Sequence, residues 1–167
     1  MGGTNKKLMA KPVDSIEFWK ERIETADKES HSVYVTSQED WNEINRVHSM
    51  IIEKNIPRNS NVLDAGCGYG RAVEFLTKMR YTGVDFSPDF IKKARKKYPE
   101  YTFKKASLKK LPFKKKEFDW AVCISMKRMI VDNLGLNEWV TMQQELKRVA
   151  EKILILEYTN PGKYEII

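Results

Sequence analysis

The sequence predicts an α/β fold built on a mostly parallel sheet of about five strands. Three observations predict it. From Val62 to Tyr158, short apolar runs alternate with segments whose apolar residues recur at helical spacing. Alternate glycines at 66, 68 and 70 stand directly after the first of those runs. The length of 167 residues, with 41% hydrophobic and 32% charged residues, suits one domain with an ordinary core.

Taken in order, residues 1–12 are polar and expected to fray. Asp14 and Ser15 can cap a helix to about Ser30, with Ile16, Trp19 and Ile23 inward. Val33-Tyr34-Val35 is a short extended segment, and Thr36 with Glu39 forms a capping box. The helix that follows carries Trp41, Ile44, Val47 and Ile51 on one face and stops before Pro57. Val62-Leu63 is the first strand, and Val73, Leu76 and Met79 follow the glycines at helical spacing. Tyr81 to Asp85 is the second strand. Ser87 is an N-cap and Pro88 sits at the first helical position, where its missing N–H costs nothing. Ile91, Ala94 and Tyr98 line that helix, and Pro99 ends it. Tyr101-Thr102-Phe103 and Phe118 to Ser125 are the third and fourth strands. A helix from Asn137 turns Trp139, Val140, Leu146 and Val149 inward, and Ile153 to Tyr158 is the fifth strand. The chain divides into an N-terminal helical lid (1–58), a core (59–158) and a tail (159–167).

Composition excludes several classes. The longest apolar runs, such as Ile153-Leu154-Ile155-Leu156, fall far short of the ~18 residues that span a bilayer. The first residues lead into no apolar stretch of the signal-peptide kind. Two cysteines, Cys67 and Cys123, build neither a disulfide scaffold nor a four-thiolate zinc site. The expectation is a cytoplasmic, metal-free domain. The net charge is +7, but Lys92 to Lys116 holds twelve basic residues and one acid, so the remainder is −4. A basic block on a slightly acidic body is either a solvated lysine-rich surface or a patch for a polyanion such as nucleic acid.

The most informative stretch is Asp64-Ala65-Gly66-Cys67-Gly68-Tyr69-Gly70. Alternate glycines let the backbone turn tightly and let a ligand approach without meeting a Cβ. A dinucleotide site of the G-x-G-x-x-G kind would need glycine at 71, where this chain has Arg71. An acid at the strand end also suits a cationic ligand better than a pyrophosphate. Asp85 ends the second strand, where a carboxylate can accept two hydrogen bonds from a ribose diol. Phe86 beside it can lie against a purine.

These motifs resemble those of the class I S-adenosylmethionine-dependent methyltransferases. Asp64 to Gly70 is similar to their first motif, and Gly83-Val84-Asp85-Phe86-Ser87 to their second. Ala106 to Phe113 stands where many members have G-D-A-x-x-L-P-F, and Phe118 to Val122 is similar to their fourth strand. The resemblance covers about residues 60–158. It implies a Rossmann-like three-layer sandwich and S-adenosyl-L-methionine as cofactor. It implies that Asp64, Ala65, Gly66, Cys67, Gly68 and Gly70 surround the methionine part and ribose; Arg71 either pairs with Glu74 or solvent or reaches the cofactor or substrate. Asp85 then holds the ribose hydroxyls with Ser87 beside it, and Phe86, Ser107 and Leu108 flank the adenine. Ser125 and Met126 border the methyl group, with Lys127 and Met129 in the acceptor pocket and Tyr34 on the lid. Two departures stand out. Ser107 replaces the acid that often meets the adenine amino group. Only nine residues follow the fifth strand, too few for the family's last two strands. That would leave the fifth strand an unpaired edge, covered either by the tail or by a second subunit in a homodimer.

The functional expectation is methyl transfer to a small-molecule acceptor. The alternatives are a non-catalytic S-adenosylmethionine-binding module, a methyltransferase acting on nucleic acid, and a dinucleotide oxidoreductase, which Arg71 and Asp64 disfavour. No Pro-Cys pair precedes Cys123 and no [DN]-P-P-[YF] occurs, so neither pattern for attack by a nucleobase is present. His31 and His48 read as surface or part-buried residues, and Asp119 as structural. No residue reads as a certain catalytic base.

Overall fold

The computed structural model describes residues 37–157 and 160–167. The expected helix over 14–30, the segment 33–35, Thr36 and the candidate Tyr34 lie outside the described residues, as do His31 and Tyr158. The first described helix, α1, spans Gln38–Asn55. Its cap is Ser37, one residue later than the expected capping box: the Asp40 N–H donates to Ser37 Oγ (3.0 Å). Ser37 and Asp40 stand three apart as Thr36 and Glu39 do, so the same chemistry works one position on.

The remaining elements are β1 (Asn61–Ala65), a 3₁₀ helix (Arg71–Phe75), β2 (Arg80–Asp85), α2 (Pro88–Lys97), β3 (Thr102–Lys105), β4 (Phe118–Ile124), α3 (Lys127–Leu134), α4 (Leu136–Val149), β5 (Ala150–Leu156) and β6 (Tyr164–Ile166). The sheet order is β3-β2-β1-β4-β5-β6, parallel except for β6. Ser87 caps α2 through the Phe90 N–H, with Pro88 in the first turn, as the sequence predicts. The apolar spacing after the glycines closes only a 3₁₀ turn. Leu76 ends it, with its N–H bonded back to Ala72 and Val73. Helix α3 is absent from the sequence reading, because its eight residues bury only Ile130 and give no periodicity to see.

The sheet divides two apolar layers. On one face Ile51 and Ile52 of α1 and Ile91 and Ala94 of α2 pack on Val62, Tyr81, Trp120, Val122, Leu154 and Leu156. On the other, Trp139, Met142, Leu146 and Val149 of α4 pack on Leu63, Ala121, Cys123, Ile153 and Ile155. Alternation along β1, β4 and β5 therefore feeds both layers, as strands covered on both sides require.

The sequence reading of five strands is corrected to six. β6 pairs antiparallel with β5 through Leu154↔Ile166, Ile155↔Glu165 and Leu156↔Tyr164. Ile153 and Ile167 exchange two further backbone bonds of 2.9 and 3.0 Å. Nine residues are too few for two strands but enough for one three-residue strand, after a turn closed by the Lys163 N–H on the Asn160 carbonyl (2.9 Å). The tail thus covers the edge of β5, and the free edge invoked for a homodimer is taken. Among the described residues no helix is long and apolar enough to cross a membrane.

Candidate functional site

Strand order reverses between β1 and β4, and in open α/β sheets ligands bind outside the carboxyl ends of strands at such a switch. The glycine turn leaves β1 at that point. Gly66, Gly68 and Gly70 all take positive φ (79°, 53° and 91°), which β-carbon sterics make costly for other residues. The N–H groups of Gly66 and Cys67 both donate to the Val84 carbonyl at 2.9 Å, which folds the turn back onto β2. A Cβ on Gly68 would meet nothing within 4 Å, so this part of the turn faces open space. A Cβ on Gly66 would lie 2.7 Å from Met126 Sδ, which brings the end of β4 against the turn.

Two carboxylates flank the turn. Asp64, at 2% exposure, accepts a hydrogen bond from the Tyr81 hydroxyl (2.8 Å). Asp85, at 7%, accepts from the Gly68 N–H (3.0 Å) and the Ser87 N–H (2.9 Å). Burial pushes Asp64 up to about 7, against the Tyr81 hydrogen bond, with the charge of Asp85 adding to the rise. Burial likewise raises Asp85 to about 6, although three backbone N–H groups oppose it. Both acids thus lack a full countercharge, and a cationic or multiply hydroxylated ligand would supply what they lack.

The other sequence-predicted residues sort by position. Ala65, Cys67 and Ser87 are buried in the floor of the turn. Phe86 and Met129 pack against the Tyr69–Phe90 pair beside it. Leu108 is buried in the α4-side layer, while Ser107 is exposed and its Oγ accepts from the Lys109 N–H (3.2 Å). Ser125, at the end of β4, holds φ 61°. Lys127 pairs with Glu165 of β6 (2.5 Å). Arg71 turns to α1: its Nε donates to Asn45 Oδ1 (2.8 Å), its Nη2 meets His48 Nδ1 (3.1 Å), and its guanidinium lies 4.4 Å from the Trp41 ring centroid.

His48 corrects the sequence reading, for it is fully buried. Its Nε2 meets the Glu157 carbonyl at 3.2 Å. With Arg71 donating to Nδ1, the proton belongs on Nε2, which then donates to Glu157. Burial first, and the Arg71 charge second, depress it to about 4. Asp119 bonds the Asn61 N–H (2.7 Å) at the far end of the sheet, a structural clip. Cys67 and Cys123 are buried thiols raised by burial, unreactive as nucleophiles. Sequence reasoning missed Tyr81 as the orienting partner of Asp64, and Glu157. Tyr81 reaches Asp64 through the register of β1 and β2, and Glu157, just after β5, meets Arg128 and His48.

Comparison with known proteins follows this geometry. A family model described as a methyltransferase domain matches residues 62–152. No curated protein matches the sequence. Among solved structures, a Pyrococcus horikoshii protein is 25% identical over 72% of this chain and 58% of its own, with a TM-score of 0.59. A SAM-dependent methyltransferase from Methanosarcina mazei is 22% identical, covering 63% and 55%, with a TM-score of 0.57. Magnesium protoporphyrin IX methyltransferase from Synechocystis, with bound SAM, is 20% identical, covering 74% and 65%, also at 0.57. The chain spans little more than half the length of the first two.

Proposed function

The chain belongs to the methyltransferase-domain family, and from that premise we propose that it is an enzyme that methylates a small molecule from S-adenosylmethionine. The observation that carries the reading is the pair of buried, undercompensated carboxylates, Asp64 and Asp85, on either side of an open glycine turn. The residues fit the cofactor. Its amine is a cation for Asp64, its ribose diol offers two donors to Asp85, and the turn at Gly68 leaves room for its chain. A dinucleotide pyrophosphate would meet two carboxylates and is disfavoured. When bound, S-adenosylmethionine supplies an electrophilic methyl group on a positively charged sulfur.

The chain's own work is binding and alignment. Asp64, oriented by Tyr81, takes the amine together with the backbone of Ala65, Gly66 and Cys67. Gly68 and Gly70 shape the turn, and Asp85, fixed by the Ser87 and Gly68 N–H groups, takes the ribose hydroxyls. Phe86 and Leu108 flank the adenine, with Ser107 at its rim. Ser125 and Met126 close the methyl end, and Met129 borders the acceptor with Lys127 next to it. Arg71 acts at one remove by fastening α1 over the turn. Tyr34, outside the described residues, is proposed as a further cofactor contact.

Calorimetry with S-adenosylmethionine tests the site. Asp85→Ala is expected to weaken binding by at least about 100-fold, the scale of two charge-assisted hydrogen bonds. Unchanged affinity overturns the assignment. Transfer of a labelled methyl group then separates an enzyme from a binding module, since a module binds without turnover.

A further inference from the structure

Two buried polar atoms at the carboxyl ends of β4 and β5 have no hydrogen-bond partner among the described residues: Ser125 Oγ and Glu157 Oε2. Buried oxygens are seldom left so, because each forfeits its hydration without replacement. The two residues are neighbours. Ile124 and Leu156 are in register, and the Ser125 N–H donates to the Leu156 carbonyl at 2.7 Å. Ser125 also holds a left-handed backbone, a strain that surrounding structure must maintain. Met126, the next residue, reaches Gly66 of the glycine turn. Glu157 is fixed from both sides. Its Oε1 accepts the Arg128 N–H (3.2 Å), and its carbonyl is bonded by His48.

We propose that Ser125 Oγ and Glu157 Oε2 form the subsite for the methyl acceptor, and that the acceptor is a small amine. The proposal rests on the S-adenosylmethionine reading above and names the substrate class for it. An amino group carries at least two N–H donors and can serve both oxygens, whereas a hydroxyl has one hydrogen to give. A carboxylate acceptor would meet the Glu157 charge, because the nearby cations Lys127 and Arg128 are already engaged by Glu165 and Asp132. Burial raises Glu157 above the usual carboxylate range, against Lys127 and Arg128 of α3 and with Glu165 of β6 adding to the rise. A raised carboxyl is better matched to taking a proton. The chemistry balances. The bound ammonium gives one proton to Glu157 Oε2, which frees the nitrogen lone pair. That pair forms the N–CH₃ bond as the methyl–sulfur bond breaks, with its electrons staying on sulfur. The products are a methylammonium ion, a neutral thioether and the proton on Glu157.

The test uses the full chain saturated with S-adenosylhomocysteine, the demethylated cofactor. Benzylamine, phenethylamine and 1,4-diaminobutane are titrated by calorimetry, with benzoate and phenylacetate as matched acids. At least one amine is expected to bind, neither acid to bind, and Glu157→Gln to weaken the amine at least about tenfold with S-adenosylhomocysteine affinity unchanged. Ser125→Ala is expected to weaken the same amine by a smaller factor, which guards against a folding effect at one position. Labelled S-adenosylmethionine should then methylate that amine in the wild type and lose turnover in Glu157→Gln. Amines that do not bind, acids that bind as well, or equal loss of amine and S-adenosylhomocysteine in Glu157→Gln overturn the proposal. Failure of S-adenosylhomocysteine to bind the wild type overturns the cofactor reading instead.

Discussion

Asp64 is a carboxylate that the ligand-free fold holds partly protonated near neutrality. Its ordinary value is 3.8 and burial brings it to about 7. For an acid raised in this way the folded state favours the neutral form. Its contribution to stability is intact below pH 3.8 and is lost as the pH climbs through 7. An amine that binds the ionised form offsets this loss. Affinity for S-adenosylmethionine should therefore rise at least about tenfold from pH 5 to pH 7, with a proton released on binding below neutrality. Calorimetry in buffers of different ionisation enthalpy measures both; flat affinity with no proton released contradicts the role. Tyr81→Phe removes the hydrogen bond that opposes the rise, so the same profile should move to higher pH. These residues differ in how visible they were. Asp64, the glycines, Asp85 and Ser87 declared themselves by spacing, because a strand, a turn and a cap are local events. Tyr81 stands seventeen positions from Asp64 and meets it only because parallel pairing sets β2 beside β1. Glu157 was equally hidden; Ser125 was expected at the methyl end, but its left-handed backbone and unpartnered oxygen were not, since an unsatisfied oxygen is a property of surroundings and not of sequence.

At the scale of elements, the attachment of α1 to the glycine turn is the most exposed to pH. Arg71 ties the turn to Asn45, His48 and the face of Trp41, and His48 carries the link on to the end of β5. The arrangement needs a neutral imidazole, because its Nδ1 accepts from a cation. His48 falls from 6.5 to about 4, so this stabilisation is complete above pH 6.5 and disappears as the pH drops through 4. The scale is about 3 kcal/mol. His48→Gln can keep both hydrogen bonds without titrating. Between pH 6.5 and 4 the wild type should lose more Tm than this variant; parallel curves would show that His48 does not titrate in the fold. The tail is the second case. β6 is three residues long and carries Glu165, two features that blunt an outer edge. A chain ending at residue 159 bares the apolar β5 strand and should self-associate in the ultracentrifuge at concentrations where the full chain does not. Equal sedimentation of the two would mean that β6 does not guard that edge. Continuous apolar runs marked β1, β4 and β5, because those strands are buried on both faces. β6 and α3 bury too little to leave such a mark.

Across the whole molecule, the basic block and the proposed acceptor residues sit on different parts of the sheet. All twelve basic residues between Lys92 and Lys116 are exposed, along α2, the edge strand β3 and the loop that follows. Lys109 and Lys116 pair with Glu138 and Glu151 across to α4 and β5. Glu157 and Ser125 lie beyond β1, at the ends of β4 and β5. Lys93 and Lys97 lie 5.1 and 5.7 Å from the Tyr69 ring of the glycine turn, so a polyanion held by the lysines would border that turn but not the ends of β4 and β5. Its attraction would come from released counterions, which carries a steep salt dependence and no sequence preference. A fluorescently labelled RNA oligonucleotide should bind weakly at about 50 mM salt and lose about 100-fold by about 200 mM, the scale for four phosphate contacts. It should not accept the labelled methyl group from S-adenosylmethionine. If the oligonucleotide instead accepts the labelled methyl group, the basic edge feeds the active crevice and the acceptor is a nucleic acid. If its binding is flat in salt, the lysines are a solvated surface. Steep salt dependence without methyl transfer is the expected outcome, because β2, β1 and β4 stand between β3 and the acceptor end of β5.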